Sequence, residues 1–246
     1  MNTNSPYLKL NANRILVLNL GIIFILVGLS ILGQYLRFFQ SYADIRPWME
    51  VGLDLLIHKF DLNAETNIPT WYNTILLLAA SLFFFIIAKA KSASRDRFRY
   101  HWYGLASLWL YFSIDELAVL HETLIKPVRN MTNLSNWFYF AWVVPGLIFL
   151  AVLGIAYLGF FLHLSPRFKI LLLASTLLYF GGAVGGEMLS GHFAQTIGLR
   201  NFTFAAYSSL EESLELIGAS LLIYTLLRYI EEKFGEFRVI VIRNKS

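Results

Sequence analysis

Long apolar stretches alternate with short polar segments along the chain, and six of the stretches match the length of a membrane span. They cover residues 15–36, 71–88, 102–122, 138–162, 168–189 and 207–229. An α-helix rises about 1.5 Å per residue, so about 20 residues cross a hydrocarbon core of roughly 30 Å. The pattern predicts an all-α protein, a six-transmembrane-helix bundle that forms a single integral membrane domain over residues 1–246.

The loop after the first predicted span carries a shorter amphipathic pattern. Between residues 47 and 60, Glu50, Asp54 and His58 recur at intervals of four among apolar side chains. Residues four apart share one face of an α-helix, so the segment has a polar face and an apolar face. We therefore predict an amphipathic interfacial helix in the first outer loop, lying on the membrane surface.

The composition agrees with a membrane protein and narrows its chemistry. Hydrophobic residues make up 57% of the 246 residues and charged residues 15%, whereas soluble domains are about 45–50% apolar and about 25% charged. The chain contains no cysteine, which excludes disulfide scaffolds, iron–sulfur clusters and thiolate metal sites. Basic residues that flank the spans account for the net charge of +4, so we expect a lipid bilayer and no nucleic acid as partner.

The distribution of Lys and Arg predicts the orientation of the spans. Of the 20 basic residues, 14 lie on the side that holds both termini and the second and fourth loops, and 6 lie on the opposite side. Cytoplasmic loops are enriched in Lys and Arg. We therefore predict that the N and C termini are both cytoplasmic.

Most acidic residues near the spans fall in three short runs, over residues 113–122, 181–187 and 208–215. An ionisable side chain within a bilayer costs about 2.5–3.5 kcal/mol on insertion scales and usually faces the interior of a helix bundle. The predicted orientation puts all three runs in the outer third of the membrane, which predicts an outward-facing polar cavity. The predicted members of this site are Asp115, His121, Glu122, Glu187, Glu211 and Glu215.

Helical spacing indicates how two of these runs are arranged. Asp115 and Glu122 are seven residues apart, which puts them on one face of a continuous helix. Glu116 lies about 100° away from Asp115 on that helix and is not included in the site. Ser209 followed three residues later by Glu212 matches a capping box, so Glu212 is assigned to the start of the sixth helix.

A run of small residues lies next to the acid of the fifth span. Residues 181–186 contain two overlapping Gly-x-x-x-Gly spacings, and such spacings let a neighbouring helix backbone approach closely. The expected counterpart on the sixth span is the small-residue group that begins at Gly218. Close approach of the two helices would bring Glu187 toward the acids of the sixth span.

Carboxylates and an imidazole that converge without thiolates are typical ligands of a divalent metal ion, either Zn or the Fe and Mn of helical-bundle carboxylate centres. All six site residues are candidate metal ligands. In an enzyme, the metal would activate water or oxygen for hydrolysis or oxidation of a lipid-like or small-molecule substrate from the outer side, with Asp115 and Glu215 as catalytic carboxylates.

Two other functions use the same residues. Asp115 and Glu215 could carry protons or cations in a proton- or cation-coupled transporter, although the site lies toward one face and not at the membrane midplane. A non-catalytic membrane assembly factor would need the acids only for its folding. The sequence does not name the substrate in any of these cases.

The polar runs resemble a signature found in an uncharacterised family of bacterial multi-pass membrane proteins. The resemblance implies localisation in a bacterial plasma membrane and carries over no catalytic role. Its motifs, in the form S-x-D-E, H-E, G-E and E-E-x-x-E, begin in this chain at Ser113, His121, Gly186 and Glu211.

Overall fold

The computed structural model describes residues 7–39, 46–132, 136–235 and 238–240, and almost all of them are helical. The helices are α1 (Ala12–Phe39), α2 (Pro47–Phe60), α3 (Ile68–Ala93), α4 (Arg99–Ala118), α5 (Ile125–Met131), α6 (Val143–His163), α7 (Pro166–Phe180), α8 (Glu187–Ile197) and α9 (Phe202–Phe234). Short 3-10 turns cover His121–Leu124 and Asn136–Phe138, and a π-helical segment over Gly181–Gly186 joins α7 to α8.

Five continuous helical segments among the described residues are long and apolar enough to cross a membrane. The α4 helix and the segment His121–Met131 make a sixth if they are counted as one span, bent by 77°. The described helices are thus compatible with a membrane-embedded protein of five or six spans. The spans are Ala12–Phe39, Ile68–Ala93, Val143–His163, Pro166–Ile197 and Phe202–Phe234.

The two ends of the described chain lie together. Strand β1 (Tyr7–Lys9) pairs antiparallel with strand β2 (Arg238–Ile240), with Leu8 opposite Val239. Both ends therefore lie on the same side of the helix bundle.

The α9 helix forms the centre of the bundle, packed against α1, α3 and α7. Leu216, Ala219, Leu222 and Leu226 on α9 are almost completely buried, and burying such a side chain stabilises a soluble fold by about 1.5–3 kcal/mol, a term that lipid around the bundle reduces. The α6 helix is peripheral, because only two of its residues, Val143 and Phe160, are buried. A loosely held α6 leaves grooves along its sides.

The predicted amphipathic segment forms a helix, α2, over Pro47–Phe60. Asp54 Oδ1 lies 3.1 Å from His58 Nε2 one turn along the helix, and Trp48 and Val51 are strongly exposed apolar residues. Exposed apolar side chains on one helix suit contact with a membrane surface. The position of α2 at that surface stays a prediction.

The third predicted span does not continue as a helix to residue 122. The α4 helix ends at Ala118, and Val119 adopts a left-handed conformation with φ 53° and donates its N–H to the Asp115 carbonyl. A left-handed residue closes a helix because its backbone turns away from the helical path. The prediction that Asp115 and Glu122 share a helical face was therefore wrong.

The sixth span begins earlier than predicted. Asn201 caps α9, and its side chain accepts the Thr203 N–H at 2.8 Å. Ser209 therefore lies two turns inside the helix, where its carbonyl accepts a hydrogen bond from the Ser213 hydroxyl. The assignment of Ser209 and Glu212 to a capping box was wrong, because the helix start is already occupied by Asn201.

Candidate functional site: an acidic cavity

One end of the bundle contains a small cavity of about 130 Å³ that is lined by eight carboxyl groups and one imidazole. All six site residues predicted from the sequence line it, together with three more acids. Within the described part of the chain, no Lys or Arg lines this cavity. We call it the acidic cavity, and its ionisable residues are Glu65, Asp115, Glu116, His121, Glu122, Glu187, Glu211, Glu212 and Glu215.

Asp115 and His121 form a two-point contact at the bend after α4. Because the chain reverses at Val119, the His121 backbone N–H donates to Asp115 Oδ1 at 2.8 Å, and His121 Nδ1 lies 2.9 Å from Asp115 Oδ2. The imidazole also packs against Trp142, with ring centroids 4.7 Å apart. These contacts fix the orientation of the imidazole and keep Nε2 outside the Asp115 contact.

Glu187 begins α8 directly after the π-helical segment. Trp142 Nε1 donates to Glu187 Oε1 at 3.2 Å, and Glu187 and Glu211 line the same cavity. The carboxyl groups of Glu187 and Glu211 repel each other when both are ionised. The two carboxyl groups are therefore more stable together when a proton or a cation lies between them.

Glu211 and Glu215 are the most buried acids of the cavity, at 5% and 8% exposure. They lie one turn apart on α9, so both face the same side of the helix. Glu211 Oε2 has no hydrogen-bond partner among the described residues. A buried polar atom without a partner costs about 1–3 kcal/mol and is rare in native proteins, so this oxygen is a candidate ligand atom.

The glycines of the π-helical segment bring the acids together. A Cβ on Gly182 would lie 2.8 Å from the Glu211 carbonyl oxygen and from Glu215 Cγ, and a Cβ on Gly186 would lie 2.7 Å from Glu211 Cγ. Side chains other than hydrogen at these two positions would push α9 away. The predicted close approach is confirmed for Gly182 and Gly186, which form one of the two overlapping spacings. Gly218 packs against the backbone of Tyr179 instead, so the expectation that Gly218 lies opposite the glycine run was wrong.

Glu65 lies in the loop before α3 at the mouth of the cavity. The Asn67 side chain holds this loop by donating to the carbonyls of Asp61 and Ala64. Although the residue is exposed, desolvation by the surrounding protein raises the pKa of Glu65, with the charge of Glu122 acting in the same direction and His121 acting against it.

The sequence prediction missed three acids of the cavity, each for a separate reason. Glu116 was excluded by its helical phase, but the chain reversal after α4 folds residues 119–122 back and closes the cavity around it. Glu212 was assigned to a cap. Glu212 is three residues from Glu215, and residues three apart share a helix face. That spacing could have predicted Glu212 as a member of the site. Glu65 lies in a loop, where no periodicity predicts where a side chain faces.

The cavity does not contain a preformed metal site among the described residues, since no three His, Asp or Glu side chains converge as they stand in a geometry that would hold a metal ion. The predicted metal ligands therefore share a cavity without sharing a coordination centre. Metal binding would require side-chain rotations that draw ligands from α4, α8 and α9 toward one point.

The chain belongs to a family described as a domain of unknown function (DUF8692), which matches residues 17–230. No curated protein matches the chain, and no solved structure matches it. The family covers nearly all of the helical bundle. The sequence signature and the bacterial source implied by the resemblance above stay predictions.

Proposed function

We propose that this member of the DUF8692 family binds a cation in the acidic cavity, and that its cation is a divalent metal such as Zn, Fe or Mn. The observation that supports the proposal is the charge of the cavity wall: eight carboxyl groups surround about 130 Å³ with no Lys or Arg among the described lining residues. The cavity lies inside a helix bundle with long apolar segments. Charges in such surroundings are weakly screened by water.

The carboxyl groups require compensation by protons or cations because like charges at close range repel each other. A cation provides this compensation while it also gives a partner to the orphaned Glu211 Oε2. Carboxylate and imidazole ligands suit Zn, Fe and Mn. We propose Asp115, His121, Glu122, Glu187, Glu211 and Glu215 as the set from which the ligands come.

The Asp115–His121 pair gives the site an acid–base group. A carboxylate that accepts the Nδ1–H of an imidazole fixes its tautomer and leaves Nε2 to accept or donate a proton, or to bind a metal. With a metal in the cavity, we propose hydrolysis or oxidation of a lipid-like substrate, in which Asp115 positions His121 and Glu215 acts as the general base. The metal would supply a bound water or oxygen.

We propose that the cavity opens to the outer side of a plasma membrane and that both termini are cytoplasmic, as the distribution of basic residues predicts. The chain has no cysteine, so single cysteines can be labelled without background. In right-side-out membrane vesicles, a membrane-impermeant maleimide should label Asn63→Cys in the cavity-side loop and not Ser94→Cys in the α3–α4 loop. The reverse labelling pattern would overturn the orientation.

Equilibrium binding of Mn²⁺ tests the proposal. We expect saturable binding to the wild-type protein and an affinity at least tenfold lower, about 1.4 kcal/mol, in Glu211→Gln, which keeps the shape of the side chain and removes its charge. Glu231→Gln is the matched control, because Glu231 lies on the same helix outside the cavity and pairs with Arg228 at 2.7 Å. Absence of saturable binding to the wild type, or equal affinities of the two variants, would contradict the proposal.

Proton- or cation-coupled transport is a second candidate, favoured by the shared cavity position of Glu187 on α8 and Glu211 on α9. Interacting carboxyl groups take up and release protons as a pair, which is the property that a proton carrier requires. Transport predicts ion flux in proteoliposomes that is lost in Asp115→Asn. A membrane assembly factor predicts instead that this substitution lowers folding yield while Mn²⁺ binding to the folded fraction is unchanged.

A further inference from the structure

A groove between α4 and α6 adjoins the acidic cavity. It has a volume of about 460 Å³, and apart from Asp115 and His121 it is lined by apolar and aromatic side chains, proline and glycine. Asp115, His121 and Trp142 are among the residues that line both the groove and the cavity. The two spaces therefore lie side by side, with the acids at one end and the apolar groove at the other.

The groove is accessible from the side of the bundle. Tyr111 on α4 and Phe149 on α6 line it, and they are 49% and 43% exposed. The α6 helix is long and apolar enough to cross a membrane, and α4 is so as part of the bent pair. In a bilayer the exposed side of the groove would therefore face lipid, and a molecule in the hydrocarbon region would enter the groove without passing through water.

The sizes and charges of the two spaces favour one class of ligand. The acidic cavity, at about 130 Å³, is smaller than the roughly 300–1,000 Å³ of small-molecule sites, whereas the groove falls within that range. The carboxyl groups repel anionic head groups and attract a cation. Trp142 and Phe149 supply aromatic faces, which also attract ammonium groups. The unpartnered Glu211 Oε2 supplies a buried acceptor for an N–H donor.

We propose that the groove between α4 and α6 holds the hydrocarbon chain of a single-chain amphiphile whose protonated amine lies in the acidic cavity. This inference rests on the proposed function, since the amine occupies the same carboxylates as the metal ion, and it names a second class of ligand for that site, which binds in place of the metal ion. The amine and a divalent cation therefore compete for the cavity.

Binding of dodecylamine and butylamine to the protein in nanodiscs tests the inference, with empty nanodiscs subtracted. We expect saturable dodecylamine binding at least tenfold tighter than butylamine binding, displacement of dodecylamine by Mn²⁺, and no competition by lauric acid, which has the same chain length and an anionic head. Equal affinities for the two amines, or competition by lauric acid, would overturn the inference.

Substitutions in the groove separate this inference from the proposed function. Leu108→Trp fills the groove without touching the cavity, and Leu124→Trp narrows it from the exposed 3-10 turn. Both should weaken dodecylamine binding at least tenfold and leave butylamine and Mn²⁺ binding unchanged, which also shows that the variants fold. Leu110→Trp on the exposed face of α4 is the control and should change nothing.

Three outcomes are distinguishable. Loss of long-chain selectivity in Leu108→Trp and Leu124→Trp with intact Mn²⁺ binding supports the inference. Wild-type protein that binds Mn²⁺ but does not favour dodecylamine over butylamine refutes the groove alone. Wild-type protein that binds none of the three cations refutes the proposed function and, with it, the inference.

Discussion

Adding one methyl group at Gly182 tests whether close packing of the π-helical segment on α9 builds the acidic cavity. The Cβ of Gly182→Ala would lie 2.8 Å from the Glu211 carbonyl oxygen and 3.1 Å from the Glu215 backbone nitrogen. Both are backbone atoms within a long helix and cannot rotate away. Gly181→Ala is the matched control, since its Cβ meets nothing within 4 Å.

Two opposing effects determine how much Gly182→Ala changes the free energy of unfolding. Replacing glycine by alanine inside a helix stabilises it by about 0.5–1 kcal/mol, and only this effect acts at Gly181. Overpacking a tight contact costs about 1–3 kcal/mol, and this effect acts at Gly182 as well. Since the helix effect is common to both variants, Gly182→Ala should be less stable than Gly181→Ala by about 1–3 kcal/mol. For a chain of this length, that difference lowers the melting temperature by roughly 2–12 °C.

Thermal unfolding of both variants in the same mild detergent measures the difference. Gly181→Ala should melt at or above the wild-type temperature, and Gly182→Ala should melt below it. Mn²⁺ affinity should also fall in Gly182→Ala, because displacement of α9 separates the acids of α9 from Glu187. Equal melting temperatures for the two variants would refute the packing argument.

Three further predictions concern other parts of the molecule. Although burial alone would raise it, hydrogen bonds from the Phe98 N–H and the Lys91 ammonium hold the pKa of Asp96 below its usual value. Asp96 therefore contributes stability above its unfolded-state pKa that is lost as pH falls through the lower folded-state pKa, and the melting temperature of wild type should fall more steeply below about pH 4 than that of Asp96→Asn. Removal of the α9 cap in Asn201→Ala should cost about 1 kcal/mol in the free energy of unfolding, and an unchanged melting temperature would contradict this. The raised pKa of Glu65 delays its ionisation, so the Mn²⁺ affinity of the wild type should increase as pH rises above 4.5. The increase should be less steep in Glu65→Gln, which cannot ionise. Identical pH profiles of Mn²⁺ affinity for wild type and Glu65→Gln would exclude Glu65 from the site.

The spans and the convergence of the acids follow from patterns that a sequence displays directly. Apolar length predicts membrane-crossing helices, and five or six such segments are present in the described structure. The glycine spacing predicts the contact of Gly182 and Gly186 with α9, because a Cβ at either position would come too close to Glu211. These features depend on local composition.

The closure of the cavity was not predictable in the same way. It depends on Val119, a β-branched residue in the left-handed region that gives no helix-ending signal in the sequence. Around this residue, the Asp115 carboxylate accepts the His121 N–H across the bend. On a continuous helix, as predicted, Glu116 lies about 100° away from Asp115 and is excluded from the site.

Metal binding in the acidic cavity is tested most directly by elemental analysis of the protein solubilised without chelators and dialysed against trace Mn²⁺. Wild type and Glu231→Gln should each contain a stoichiometric divalent metal ion, and the double variant Glu211→Gln with Glu215→Gln should contain much less. Wild-type protein that stays free of divalent metal under these conditions, or a metal content that is the same in the double variant, would contradict metal binding in the cavity.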